Sequence, residues 1–191
     1  MIKSLYPQLQ RWCEHGSVWI ISDTHFDDGD CALIDPSWIY PEDHMSILKR
    51  NIMAGDTLIH LGDIGNPEYL RGLRCYKVLI TGNHDAGAAV YKEYFDEIYT
   101  GPLFIADRIL LSHEPIYGLE SFCINIHGHV HCREDSRLEP GHVNLASDVV
   151  NFQPFNLGAE IKKGLLAGIP NYHRLTIDNA SKNPIHKEKS E

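Results

Sequence analysis

Residues 77–85 read KVLITGNHD, an apolar run from Lys77 to Ile80 that delivers Thr81-Gly82-Asn83-His84-Asp85. A short apolar run bounded by turn residues reads as a buried strand. In α/β sheets, ligands gather at the carboxyl ends of such strands. The pattern recurs on both sides of this stretch. Val18–Ile21 runs into Ser22-Asp23-Thr24-His25, and Thr57–Leu61 into Gly62-Asp63. Ile109–Leu111 runs into Ser112-His113, and Phe122–Ile126 into His127-Gly128-His129-Val130-His131. Taken singly, Gly62-Asp63 reads as a turn, Asn83 as a helix cap and the histidines as hydrogen-bonded strand ends. Together, each directly after an apolar run, they predict one shared site.

The residue types predict its chemistry. Asp23 and Asp63 offer carboxylate oxygens, Asn83 a neutral carbonyl oxygen, and His25, His113, His129 and His131 imidazole nitrogens. Mixed oxygen and nitrogen donors without thiolate suit Mn, Fe, Zn, Co or Ni, with Mn the first expectation. The set exceeds what one tetrahedral ion takes, so two divalent ions sharing a carboxylate are expected. Two ions about 3.5–4 Å apart can hold a hydroxide and clamp both the attacking and the leaving oxygen of an in-line displacement. The expected activity is hydrolysis of a phosphoester.

Composition bounds the alternatives. With 191 residues, the chain is long enough for one domain with a sizeable core. The expected domain spans 1–178, and 179–191 is a polar tail. No apolar run approaches the roughly 20 residues that cross a bilayer, and Met1–His15 lacks a signal-peptide pattern. A cytoplasmic protein with no membrane partner is expected. The five cysteines are scattered and never spaced as CxxC, which argues against a disulfide framework. A net charge of -9 disfavours long nucleic acid as a partner. It leaves room for a small phosphoester drawn to bound cations.

The motifs Asp23-x-His25, Gly62-Asp63, Gly82-Asn83-His84-Asp85, His113 and Gly128-His129-x-His131 closely resemble the calcineurin-like metallophosphoesterase family. Ser112-His113-Glu114-Pro115 and Asn144–Asp148 look like its compact bacterial and phage branch. The resemblance implies an α/β fold, a four-layer α/β/β/α sandwich of two mixed sheets flanked by helices. It also implies that Asp23, His25 and His131 bind one metal, that Asn83, His113 and His129 bind the other, and that Asp63 bridges. His84 would contact the phosphate and protonate the leaving oxygen, with Asp85 orienting it. One departure is clear: where that branch often has Gly-His after the first motif's Phe, Phe26 is followed by Asp27-Asp28. Thr81 stands where Ser/Thr protein phosphatases carry Arg, and Asn66 where purple acid phosphatases carry a ligating Tyr.

The remaining pattern predicts a helix from Pro41 with Met45, Leu48 and Ile52 inward and Gly55 as its stop. It predicts a capped start at Asn66-Pro67, a helix over Ala88–Phe95 with Val90, Tyr91 and Tyr94 on one side, a hairpin turning at Asp107-Arg108, and a last helix from Asn156 to Gly168. Asp27–Asp30 reads as a mobile loop beside a shallow mouth. Asp148 reads as a support for the site or a turn cap. His60 and His127 read as packed strand residues, Cys132 as a buried thiol, and His15, His44, His142, His173 and His186 as solvated or capping. Two rival functions keep the fold: a metal-dependent nuclease on polynucleotide, and a non-catalytic interaction platform with eroded ligands.

Overall fold

The computed structural model describes residues 7–131 and 138–171. The polar tail, Cys132, His173 and His186 lie outside the described residues. In chain order the elements are α1 (Pro7–Glu14), β1 (Val18–Ile21), α2 (Gly29–Ile34), α3 (Pro41–Asn51), β2 (Thr57–His60), β3 (Tyr76–Ile80), β4 (Glu97–Tyr99), β5 (Leu103–Ala106), β6 (Ile109–Leu111), β7 (Ile124–His127), β8 (Leu138–Glu139), β9 (His142–Asn144), β10 (Phe155–Asn156) and α4 (Leu157–Lys162). Short 3-10 turns occupy Pro67–Gly72 and Ala88–Tyr91. The strands form two mixed sheets, ordered β10-β1-β2-β3-β4 and β5-β6-β7-β9-β8. This is an α/β fold of two sheets flanked by helices.

Alternation along the strands assigns the layers. Ile20, Ile59, Val78 and Ile80 of the first sheet meet Ile109, Leu111, Ile124, Ile126 and Val143 of the second in one buried cluster. The opposite face of the first sheet turns Ile21, Leu58 and Leu79 toward Met45 and Leu48 of α3 and Leu70 of the first 3-10 turn. Strands covered on both faces need apolar residues at nearly every position, which is why they are continuous apolar runs in the sequence. Over the outer face of the second sheet lies irregular chain. Ile116 N donates to Asn125 Oδ1 at 2.7 Å, and Tyr117 packs on His142 with ring centroids 4.9 Å apart.

Parallel register carries the motifs to one place. Ile21 pairs with His60, and His60 with Leu79, so β1, β2 and β3 end level. In the second sheet Leu111 pairs with Ile126, and Ile126 with Val143. Ser22 N then donates to Leu145 O at 3.1 Å, tying the two sheet edges together.

Several expectations need correction. Asp27–Asp30 leads into a helix: Asp28 caps α2 by accepting from Asp30 N, so the mouth has a structured wall. The helix α3 stops at Asn51, before Gly55, where the Asp56 carboxylate captures Met53 N at 2.8 Å. Ala88–Tyr91 is a single 3-10 turn that buries Tyr91 and leaves Val90 53% exposed, because the Tyr91 hydroxyl is drawn inward onto Asp85. The last helix ends at Lys162, short of Gly168. The hairpin at Asp107-Arg108 and the cap at Asn66 form as read. Neither His44 nor His142 is solvated; both are buried. Among the described residues no helix is long and apolar enough to cross a membrane.

His44 makes the fold acid-sensitive. It lies between the rings of Phe26 and Phe152, at 5.5 and 5.3 Å, and its Nε2 has no hydrogen-bond partner. Burial, aided by nearby His60, pushes its pKa down to about 3. The ring is neutral when folded and takes up a proton near its ordinary value of about 6.5 when unfolded. Stability from this group is therefore present above that value and lost as pH falls from there toward 3. We predict that His44→Phe lowers the slope of unfolding free energy against pH between pH 6 and 4, by up to ~1.4 kcal/mol per pH unit. Urea melts in chelator-containing buffer at both pH values measure it, and an unchanged slope would contradict the account.

Candidate metal centre

Three histidines direct the same ring nitrogen the same way. His113 Nδ1 lies 2.9 Å from Leu61 O, an acceptor, so Nδ1 carries the proton and Nε2 presents a lone pair. That lone pair faces Asn83 Oδ1 at 2.7 Å and Asp63 Oδ2 at 3.3 Å. His25 Nδ1 lies 3.1 Å from Asp28 Oδ2, with Nε2 3.8 Å from Asp63 Oδ2. His131 Nδ1 lies 3.0 Å from Asp148 Oδ1, with Nε2 3.5 Å from Asp23 Oδ1. His129 brings Nδ1 to within 2.9 Å of Asn83 Oδ1 and 3.2 Å of His113 Nε2. Ring nitrogens and side-chain oxygens thus converge, an arrangement that protons on the rings or cations between them make stable.

Buried polar groups are normally satisfied, yet Asp23 Oδ1 is buried without a hydrogen-bond partner. Its other oxygen accepts from His129 N at 2.9 Å. Asp23, His25 and His131 form one group of potential donors within 4.8 Å of one another, and Asp63, His113 and His129 another. The carboxylate of Asp63 lies between His25 of the first group and His113 of the second. The donor set therefore fits two cations. Without a metal, protons take the cations' part: burial opposes charge on His131, but the hydrogen bond to Asp148 and the nearby Asp23 carboxylate outweigh it and hold the ring pKa up at about 10. For Asp63 burial is likewise outweighed, chiefly by the hydrogen bond that His113 donates when its ring is doubly protonated, and its pKa falls to about 2.

Local backbone geometry makes this approach possible. Asp23, His25, Asp63 and His129 sit at positive φ, 54°, 41°, 55° and 68°. Each such non-glycine residue costs on the order of 1–3 kcal/mol and persists only where its surroundings enforce it. A side chain at Gly82 would overlap Asp63 Oδ1, and one at Gly128 would overlap Ser22 Oγ and Asp23 Oδ2. Behind the site, His60 Nδ1 accepts from Gly62 N at 3.1 Å and its Nε2 contacts the Thr24 hydroxyl at 3.0 Å. The Thr24 hydroxyl donates to Ile64 O at 2.9 Å, which locks the first two motifs together.

His84 is exposed, with its ring 5.6 Å from that of His25, and its backbone N donates to Asp63 Oδ1 at 2.9 Å. Beyond the orienting role that the resemblance implies for Asp85, its Oδ2 accepts from Asp63 N and Gly82 N, and its Oδ1 from Ile64 N and Tyr91 OH. Asp85 braces the two loops that carry Asp63 and Asn83.

A wall that no motif spacing marks surrounds these residues. A cavity of about 510 Å³ opens over His25, Asp63, His84, His129 and His131, walled by Asp28, Asp30, Cys31, Asp35 and Trp38. Trp38 meets His25 edge-on at 6.1 Å and Phe152 at 5.5 Å. Asp27 turns away from it, accepting from Asn66 Nδ2 and Tyr69 OH at 2.7 and 2.9 Å. Asp28, three residues after His25, was legible only as a charge.

No family model matches the chain, and no curated protein matches it. Solved structures do. Pseudomonas putida nuclease MPE is 23% identical, at a TM-score of 0.44, over 63% of each chain. A predicted phosphoesterase from Streptococcus pneumoniae is 18% identical, at a TM-score of 0.35, over 68% of this chain and 70% of its own. Neither likeness is close enough for an activity to transfer. The Aquifex aeolicus protein AQ665, a protein of unknown function, is 30% identical at a TM-score of 0.63, over 77% of this chain and 98% of its own. At that identity and coverage, the chain belongs to the same family as AQ665.

Proposed function

We propose that the chain is a metal-dependent phosphoric ester hydrolase of the calcineurin-like metallophosphoesterase type, acting on small phosphodiesters or phosphomonoesters, nucleotide-like esters among them. The observation that carries this reading is the convergence of histidine lone pairs and carboxylates on one point. Asp23, His25 and His131 would hold one ion, Asn83, His113 and His129 the second, with Asp63 shared. Two divalent ions bound there, Mn the first choice, supply the charge that polarises a phosphoryl oxygen and makes water nucleophilic near neutral pH. His84, at the cavity and outside the donor groups, is the residue to hold a phosphoryl oxygen and donate a proton to the leaving oxygen. Trp38 gives the ester's substituent an apolar face and excludes water from one side.

Charge favours the small substrate. Asp28, Asp30, Asp35 and Asp148 line the cavity, and among the described residues no Lys or Arg lines it. A chain of phosphates would meet repulsion beyond the metals, whereas a single phosphate reaches them. The same wall weighs against the nuclease reading, and the undiminished donor set weighs against the non-catalytic platform. Free thiols at Cys13, Cys31, Cys75 and Cys123 suit the expected cytoplasmic location.

The test is a panel of phosphodiesters, phosphomonoesters and oligonucleotides assayed with chelator-stripped and Mn-reconstituted protein. Activity should vanish on stripping, return with Mn and favour small esters. Undiminished hydrolysis after verified metal loss would sink the reading. His84→Ala should lower kcat by about 10²–10⁴-fold, as general acids do, while metal content stays at the wild-type value. The loss should be steepest for esters with poor leaving groups; a uniform loss would assign His84 to binding alone.

A further inference from the structure

The two donor groups differ in what stands behind them. In the first, Asp28 Oδ2 lies 3.1 Å from His25 Nδ1 and Asp148 Oδ1 lies 3.0 Å from His131 Nδ1. Asp23 adds a third carboxylate, itself buried. In the second, His113 Nδ1 leans on a neutral carbonyl, Leu61 O, and Asn83 is a neutral donor. Asp63 is common to both. A carboxylate on the far nitrogen fixes the histidine's orientation and raises the basicity of the nitrogen that faces the metal. A nearby negative charge also favours a dication directly, and this preference is strongest where water is excluded.

Resting on the metal-centre reading above, we propose that Asp28 and Asp148 are positioning residues that make the Asp23–His25–His131 site take its divalent ion first and more tightly than the Asn83–His113–His129 site. Asp28 carries the more specific part of this assignment. It stands where the resembling branch often has Gly-His. It is placed by a tight turn in which His25 and Asp27 adopt positive φ and Asp28 N donates to His25 O at 3.0 Å. One of its oxygens holds His25 while the other caps α2, accepting from Asp30 N at 3.0 Å. The helix that walls the cavity and the histidine that faces the metal are thus fixed by a single carboxylate.

The two roles of Asp28 separate by substitution. Ser caps helices as well as Asp does but is too short to reach His25 Nδ1, whereas Asn has a single acceptor oxygen, so it keeps the cap only by turning its amide N–H toward His25 Nδ1. The full chain, stripped of metal, is titrated with Mn(II); free ion is followed by electron paramagnetic resonance and bound ion by elemental analysis. The wild type should load in two steps at least about tenfold apart. Asp28→Ser should weaken the tight step by about 10–100-fold, the range seen when such outer partners are lost, and leave the weak step within about threefold. Asp148→Asn should act on the same step, and Asp28→Asn should weaken it at least as much as Asp28→Ser. Asp30→Ser, which removes a cavity carboxylate that touches no donor residue, should leave both steps unchanged. Superimposable curves for wild type and Asp28→Ser would overturn the assignment, as would parallel shifts of both steps or an Asp30→Ser effect equal to that of Asp28→Ser. A third ion that Cys31→Ser abolishes would also overturn it, because His25, Asp28 and Cys31 would then be ligands. Failure of the wild type to bind any ion would instead strike the metal-centre reading itself.

Discussion

Lone pairs pointing at lone pairs are the constraint around which this chain is built. Asn83 Oδ1 and Asp63 Oδ2 both lie within contact of His113 Nε2, and a neutral His113 that donates to Leu61 O has no proton to offer either of them. His25 and His131 repeat the arrangement against Asp63 and Asp23. Without positive charge between them, these groups would repel in a region that water does not reach freely. The fold nevertheless holds them there. It does so with backbone bonds such as Asp23 N to Gly62 O at 2.9 Å and His25 N to Asp63 O at 3.1 Å. Level strand ends, positive φ at four donor residues and glycines at the points of closest approach all serve this crowding.

The site also shows how a two-sheet architecture concentrates function. Each parallel strand ends where its neighbour ends, so each contributes its next few residues to a common rim. The first sheet supplies Asp23, His25, Asp63 and Asn83, and the second supplies His113, His129 and His131. The sheets are joined there by Ser22 and Ala146, which form an isolated bridge between β1 and the chain beyond β9. Asp85, His60 and Thr24 then tie the loops to one another from behind. A change of register in either sheet would carry half of the donor set away from the other half.

Much of this was readable in the chain. Apolar runs covered on both faces are easy to see, and a polar residue directly after such a run has few places to go but a strand end. The strand termini, and with them the residues that gather at the rim, were therefore legible. What could not be read depends on turns. Asp28 reaches His25 only because the chain reverses through positive φ at Asp27. The helix α2 is a six-residue element with no apolar period of its own, so its acidic start looked like an open loop. Trp38 is one aromatic in an irregular stretch, and nothing in its neighbours' spacing reveals that it walls a cavity. The bracing by Asp85 could not be read because its four partners include three backbone N–H groups, which leave no trace in side-chain pattern. His44 was misplaced for a related reason: its burial comes from Phe26 and Phe152, distant in sequence.

The direct test of the central claim is anomalous diffraction from crystals grown with Mn(II), recorded on both sides of the manganese absorption edge. The account predicts two manganese peaks in each molecule, one among Asp23, His25 and His131 and the other among Asn83, His113 and His129, with the Asp63 carboxylate between them. A single peak, a pair of peaks elsewhere, or a rim without manganese whose histidines had turned their Nε2 atoms away from the carboxylates would contradict it.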